Sequence, residues 1–172
     1  HDGAEVLLVQ VLHRHGARTP FRVPPGAAQP GTIEWDAHFG QCRSLGANAM
    51  ELLQRRGMNP DAPSGVVSSN SVDGYHRCLP GHLTKKGEED LRALGAFLRR
   101  VYVDGSGGRP LFSPSFPDRR EVQVVSTAAA RTVMSAQSLL CGLFPDVSPV
   151  QLEDLVEVPR SFDDEIMLAN FP

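Results

Sequence analysis

Apolar positions along this chain fall into two patterns, compact runs and stretches repeating every three to four residues. The first run, Val6 to Leu12, is interrupted only by Gln10. Closed by a charged turn that carries Gly16 and Pro20, it predicts a buried strand of a parallel or mixed sheet. From Cys42 to Arg56 the spacing of Leu45, Ala49, Leu52 and Leu53 predicts a helix, stopped by Gly57 and Pro60. Thr84 is placed to cap a further helix reaching about Tyr102, with Leu91, Leu94, Leu98 and Val101 inward and Glu88, Glu89 and Asp90 near its positive end. Glu121 to Ser126 predicts a second buried strand. A helix starting at Ser126 or Thr127 then carries Arg131 and turns Val133, Ala136, Leu140 and Phe144 inward. Val150 to Pro159 predicts another strand.

The stretches between these elements are rich in Pro, Gly, Ser and Asn. Residues 21–40 hold Pro24, Pro25, Gly26, Pro30, Gly31 and Gly40 and predict a long irregular connection. Asp61 to Pro80 returns to the same composition, with a short strand expected at Gly65 to Val67. Together they make a loop-rich insertion around 21–83. Asp104 to Pro117 is a connector, and Arg160 to Pro172 a loop whose Asp163, Asp164 and Glu165 are expected to be a solvated acidic face. Strands alternating with helices predict an α/β fold, a mixed central sheet with helices on both faces, in one domain over residues 1–172.

The turn after the first run brings in the chemistry. Arg14, His15 and Arg18 crowd an imidazole between guanidinium groups, which match phosphate oxygens through planar bidentate forks. Gly16 leaves room for a sharp turn or close approach, and Pro20 stiffens the exit. Neighbouring positive charge works against the imidazolium, so His15 is expected to be neutral and nucleophilic. A strand running into a helix start is a natural anion site, which predicts that Arg131 joins Arg14 and Arg18 in a clamp. Phe21, Trp35 and Phe39 are candidates for the pocket mouth, with pinning of the loop to the body as the other reading. His13 and His38 are expected to be surface or packing residues.

Composition narrows the partners. With 172 residues, 41% hydrophobic and 22% charged, the chain reads as a soluble globular domain. A net charge of -3 and a pI near 6.1 give no basic field for nucleic acid. No apolar stretch reaches the roughly 18 residues that span a bilayer. Cys42, Cys78 and Cys141 lack metal-site spacing, so no metal is expected. Cys141 lies in an apolar run and is expected to be buried and unbridged, whereas Cys42 and Cys78 are free to pair in an oxidising compartment or to stay apart.

The stretch Arg14-His15-Gly16-Ala17-Arg18-Thr19-Pro20 resembles the RHGxRxP signature of the histidine acid phosphatases. Val122 to Thr127 followed by Arg131 to Ala136 and Gly142 to Pro145 is similar to the family's segment with a further phosphate-binding arginine. Leu83 to Gly87 and Leu94 to Arg99 resemble its "LT..G…LG..LR" helix. The resemblance implies an acid phosphatase that hydrolyses phosphomonoesters through a phosphohistidine on His15, without cofactor or metal, with Arg14, Arg18 and Arg131 binding phosphate. It also implies a secreted, lysosomal or extracytoplasmic membrane-associated protein.

One part of the family's pattern is missing. The resemblance implies a second histidine and a general acid in a C-terminal His-Asp or His-Ala-Glu motif, yet no histidine follows His82. His1-Asp2 spells the dipeptide ahead of the first run, out of the family's order. The expectation is therefore an N-terminal portion, slow or inactive alone, with an exposed sheet edge open to a homodimer or to a C-terminal half. Two other readings stand beside it, a phosphoglycerate-mutase-like enzyme and a non-catalytic module binding phosphorylated ligands.

Overall fold

The computed structural model describes residues 6–23, 25–30, 32–43, 75–106, 108–112 and 118–159. In chain order the elements are α1 (Ile33–Phe39), β1 (Gln41–Arg43), β2 (Tyr75–Arg77), α2 (Lys85–Tyr102), β3 (Val124–Val125), α3 (Ala130–Leu143), α4 (Pro149–Glu153) and β4 (Val156–Glu157). β1 and β2 pair antiparallel, with Cys42 opposite His76; β3 and β4 pair parallel, with Val124 opposite Val156. Parallel pairing across an intervening helix is the α/β pattern expected. Among the described residues it is carried by the pair of β3 with β4.

The two long helices form where the periodicity places them. Thr84 caps α2, its hydroxyl accepting from Gly87 N–H at 3.1 Å, and Glu88 sits in the first turn where the helix dipole favours negative charge. α3 begins at Ala130, a few residues later than expected. It turns Val133, Ala136, Leu140 and Leu143 into a core shared with Val103, Phe144, Leu152, Leu155, Val156 and Val158. The two helices touch through backbone. A Cβ on Gly95 would lie 2.0 Å from the Leu139 carbonyl oxygen, and one on Gly142 would lie 2.0 Å from that of Arg92. Only glycine permits this approach, so two residues that weaken isolated helices are what join these.

Three expectations are corrected. Residues 6–12 are not a buried strand: no strand pairs with them among the described residues, and Leu7 is 84% and Leu12 101% exposed. An apolar run becomes a strand only when a neighbouring backbone takes its N–H and C=O groups, and none does so here. Within residues 21–40 the chain forms α1, because Thr32 supplies a side-chain cap to Trp35 N–H and Trp35 buries completely beneath it. Val150 to Pro159 splits into α4 and β4, since Ser148 caps a helix with Pro149 in its first turn. The start of the expected helix from Cys42 is strand β1; its remainder, the strand at Gly65 to Val67 and the acidic Asp163 to Glu165 lie outside the described residues.

Cys42 and Cys78 are joined by a disulfide with their Cα atoms 5.0 Å apart, both fully buried. Trp35 packs with this link, its indole N–H donating to the Cys78 carbonyl at 2.8 Å. Of the two readings open for these cysteines, the bridge holds. Cys141 is unbridged and packs at the core's edge.

Gly95→Ala and Gly142→Ala are each expected to destabilise the fold by roughly 1–3 kcal/mol through overpacking, overriding the gain in helix propensity. The urea midpoint under non-reducing conditions measures this; an unchanged midpoint would show that the helices part at no cost.

Candidate active site

The turn that follows residues 6–12 is fastened on three sides. Thr19 N–H donates to His82 carbonyl at 2.9 Å, and the Thr19 hydroxyl donates to Leu79 carbonyl at 2.5 Å. Thr84 grips the same turn from the helix, its N–H and its hydroxyl both donating to Ala17 carbonyl at 2.9 Å. Between these, Gly16 and Gly87 meet face to face: a Cβ on Gly16 would lie 2.5 Å from the Gly87 carbonyl oxygen. The third fastening comes from α3, where the buried Ser135 hydroxyl accepts from Gly16 N–H at 3.1 Å and donates to Arg131 carbonyl at 2.6 Å.

These contacts set the geometry of His15. Its Nδ1 lies 2.9 Å from Gly16 carbonyl oxygen, an atom that only accepts, so Nδ1 carries the proton. Nε2 is then left with its lone pair, and Arg18 Nε donates to it at 3.1 Å. Arg18 is itself steadied by donating from a terminal nitrogen to Thr19 carbonyl at 2.7 Å. The result is an imidazole whose Nε2 faces a guanidinium.

His15, Arg14 and Arg18 line one cleft of about 810 Å³ together with Pro20, His38, Phe39, Asp90, Leu91 and Leu94. Arg131 is not on that wall. It lies at Arg18's side, and both guanidinium groups sit over the ring of Phe21, at 4.2 Å for Arg18 and 4.7 Å for Arg131. Burial, and next the charge of Arg18, push the Arg131 pKa below its ordinary value. Its Nε is buried with no hydrogen-bond partner among the described residues. A cation held where its charge is disfavoured, with a donor left over, is the electrostatic signature of a place for an anion. Among the described residues no group of His, Cys, Asp and Glu is arranged to hold a metal ion.

The aromatic candidates separate. Phe39 reaches the cleft, Trp35 pins the disulfide, and Phe21 stacks on the arginines. His38 and Asp90 line the cleft although sequence reasoning set His38 aside and gave Asp90 only a helix-dipole role. The available signal for Asp90 was its helical spacing from Gly87, which puts Gly87, Asp90, Leu91 and Leu94 on the face turned toward the His15 turn.

Comparison with known proteins gives the family. Residues 5–169 match the family model described as histidine phosphatase superfamily (branch 2). The chain belongs to that family. It is similar to lysophosphatidic acid phosphatase type 6 of Bos taurus, 33% identical over 144 residues that cover 81% of this chain and 31% of that protein. Counting factor 60 of Dictyostelium discoideum is 30% identical over 145 residues, covering 84% of this chain and 33% of its own length. Testicular acid phosphatase of Mus musculus is 44% identical over 69 residues, 40% of this chain and 15% of that protein. The chain therefore spans about a third of the length of the first two relatives, 31% and 33%.

Ser135→Ala removes the partner of Gly16 N–H and is expected to cost roughly 0.5–1.5 kcal/mol. Urea unfolding measures the loss, and Ser135→Thr, which keeps the hydroxyl, separates it from a change in packing.

Proposed function

We propose that the protein is a metal-independent phosphomonoesterase of the acid phosphatase type in which His15 is the nucleophile. The observation that carries this is the placement of the His15 ring in an open cleft, with Nδ1 2.9 Å from the Gly16 carbonyl oxygen and Nε2 3.1 Å from Arg18 Nε. Nε2 attacks the phosphorus of a bound phosphomonoester, the bond from phosphorus to the leaving oxygen breaks, and the phosphoryl group rests on the imidazole until water displaces it. Arg14, Arg18 and Arg131 balance the charge that develops on the non-bridging oxygens, the task a metal ion performs in other phosphatases. The leaving oxygen takes a proton from a general acid. The family resemblance assigns that acid to a C-terminal His-Asp or His-Ala-Glu motif, and no histidine follows His82 in these 172 residues.

Relatives named acid phosphatases support hydrolysis over mutase chemistry. The name of the bovine and human relatives supports a phosphate ester with an apolar tail as substrate, and Phe39, Leu91 and Leu94 offer a wall for one. The buried Cys42–Cys78 disulfide supports a secreted, lysosomal or extracytoplasmic setting. The exposed apolar residues 6–12 support association, with a C-terminal half or a second copy laying a strand alongside them.

Exposure of the chain to a phosphomonoester labelled at phosphorus is expected to leave acid-labile, base-stable label on His15. His15→Ala abolishes it, and chelators leave it unchanged. Steady turnover by the 172 residues alone is expected to fall short of a complete enzyme by about 10²–10⁴, the contribution of a general acid. Saturable phosphate binding with no label at His15 would instead favour a non-catalytic phospholigand module.

A further inference from the structure

Phe21 is 53% exposed, an unusual position for a phenylalanine that fills no core. Its surroundings explain why it stays there. The residue lies one position beyond Pro20, whose carbonyl accepts from Gly81 N–H at 3.1 Å. Gly81 has φ +81°, and a Cβ on it would lie 2.5 Å from the Phe21 ring. The ring is thus seated in a notch that glycine alone leaves open, and from that seat it takes both the Arg18 and the Arg131 guanidinium within 4.2 and 4.7 Å of its centre.

We propose that Phe21 is the positioning residue of the phosphate site, an aromatic surface that gathers Arg18 from the turn and Arg131 from α3 so that one anion meets both. The inference rests on the phosphate-binding reading above and adds a residue to it. Two guanidinium groups left to themselves repel, and the bonds that hold the Arg18 guanidinium, to His15 Nε2 and the Thr19 carbonyl, lie within its own turn and do not tie it to Arg131. The negative face of one ring attracts both, and the distances laid end to end limit how far apart the charged groups lie. The span is on the scale of a single phosphate group held between them. Burial of Arg131 strengthens its dependence on this contact, because less water is available to stabilise its charge.

The test compares Phe21→Ala, Phe21→Leu and Phe21→Tyr in the 172-residue protein. Nε–H resonances of Arg18 and Arg131, assigned through Arg18→Lys and Arg131→Lys, are followed by NMR, and inorganic phosphate is titrated into each variant. Both Nε–H signals are expected to be ring-shifted in the wild type and in Phe21→Tyr, and to lose that shift in Phe21→Leu. Phosphate binding is expected to weaken about five- to thirtyfold in the Ala and Leu variants, two exposed cation–π contacts being lost, and to survive in Tyr. Leucine fills the Gly81 notch without a π face, so equal binding by the Leu and Tyr variants would reduce Phe21 to packing and overturn the proposal. Tighter binding by Phe21→Ala would overturn it as well, showing a plug. If the wild type binds no phosphate, the phosphatase reading falls. The ring shifts still decide whether Phe21 gathers the arginines, and their absence from the wild type ends the inference.

Discussion

The structure depends on the contact between the backbones of Gly16 and Gly87. The turn bearing His15 lies directly on the first turn of α2, closer than any side chain would allow, and the Ala17 carbonyl receives both hydrogen bonds that Thr84 offers there. A loop held by side chains alone would wander by an ångström or more, and a nucleophile needs better than that to meet its target. Here helix α2 is the reference surface. The same principle recurs along the helix: Gly95 and Gly142 bring α2 onto α3 through carbonyl contacts. Position is passed from the His15 turn to α2, from α2 to α3, and through Ser135 back to the turn, so that the Arg131 backbone and the His15 backbone belong to one closed circuit.

That circuit separates stability from chemistry. The glycines and Ser135 carry no part of the proposed chemistry, but each fixes a distance between groups that the proposal assigns to it. Arg131 is pressed by burial and by Arg18, and its Nε has no partner among the described residues. Functional sites commonly keep such unbalanced groups, and the rest of the fold supplies the stability they forgo.

Much of this was legible in the residues. α2 and α3 were readable because Leu91, Leu94 and Leu98, and Val133, Ala136 and Leu140, repeat with the helical period and Thr84 stands where a cap belongs. The Arg14 to Arg18 cluster was readable because its residue types serve one purpose. Other features were not, for identifiable reasons. The apolar run Val6 to Leu12 states a tendency, but pairing is a property of two segments, and a single sequence does not show whether the second is present. α1 was hidden because Pro30, Gly31 and Gly40 dominate its surroundings: the Thr32 cap is local, but burial of Trp35 against the Cys78 carbonyl needs a residue 43 positions away. Asp90 was invisible as a cleft residue because helical spacing shows which residues share a face and not what that face meets.

Placement of Arg131 shows how far motif reasoning carries. A strand leading into a helix start predicted that Arg131 completes a clamp with Arg14 and Arg18, and the structure sets its guanidinium with that of Arg18 over the ring of Phe21. Ala129 offers α3 no side-chain cap, and the helix is anchored one turn inside its end, where Ser135 accepts from Gly16 N–H. Arg131 therefore starts from a firmly held backbone, and its long side chain takes a direction that the sequence motif does not specify. A flexible cation on a rigid base needs a further element to aim it. In this chain that element is an exposed aromatic ring in a glycine notch, a feature outside every motif by which the site was first read.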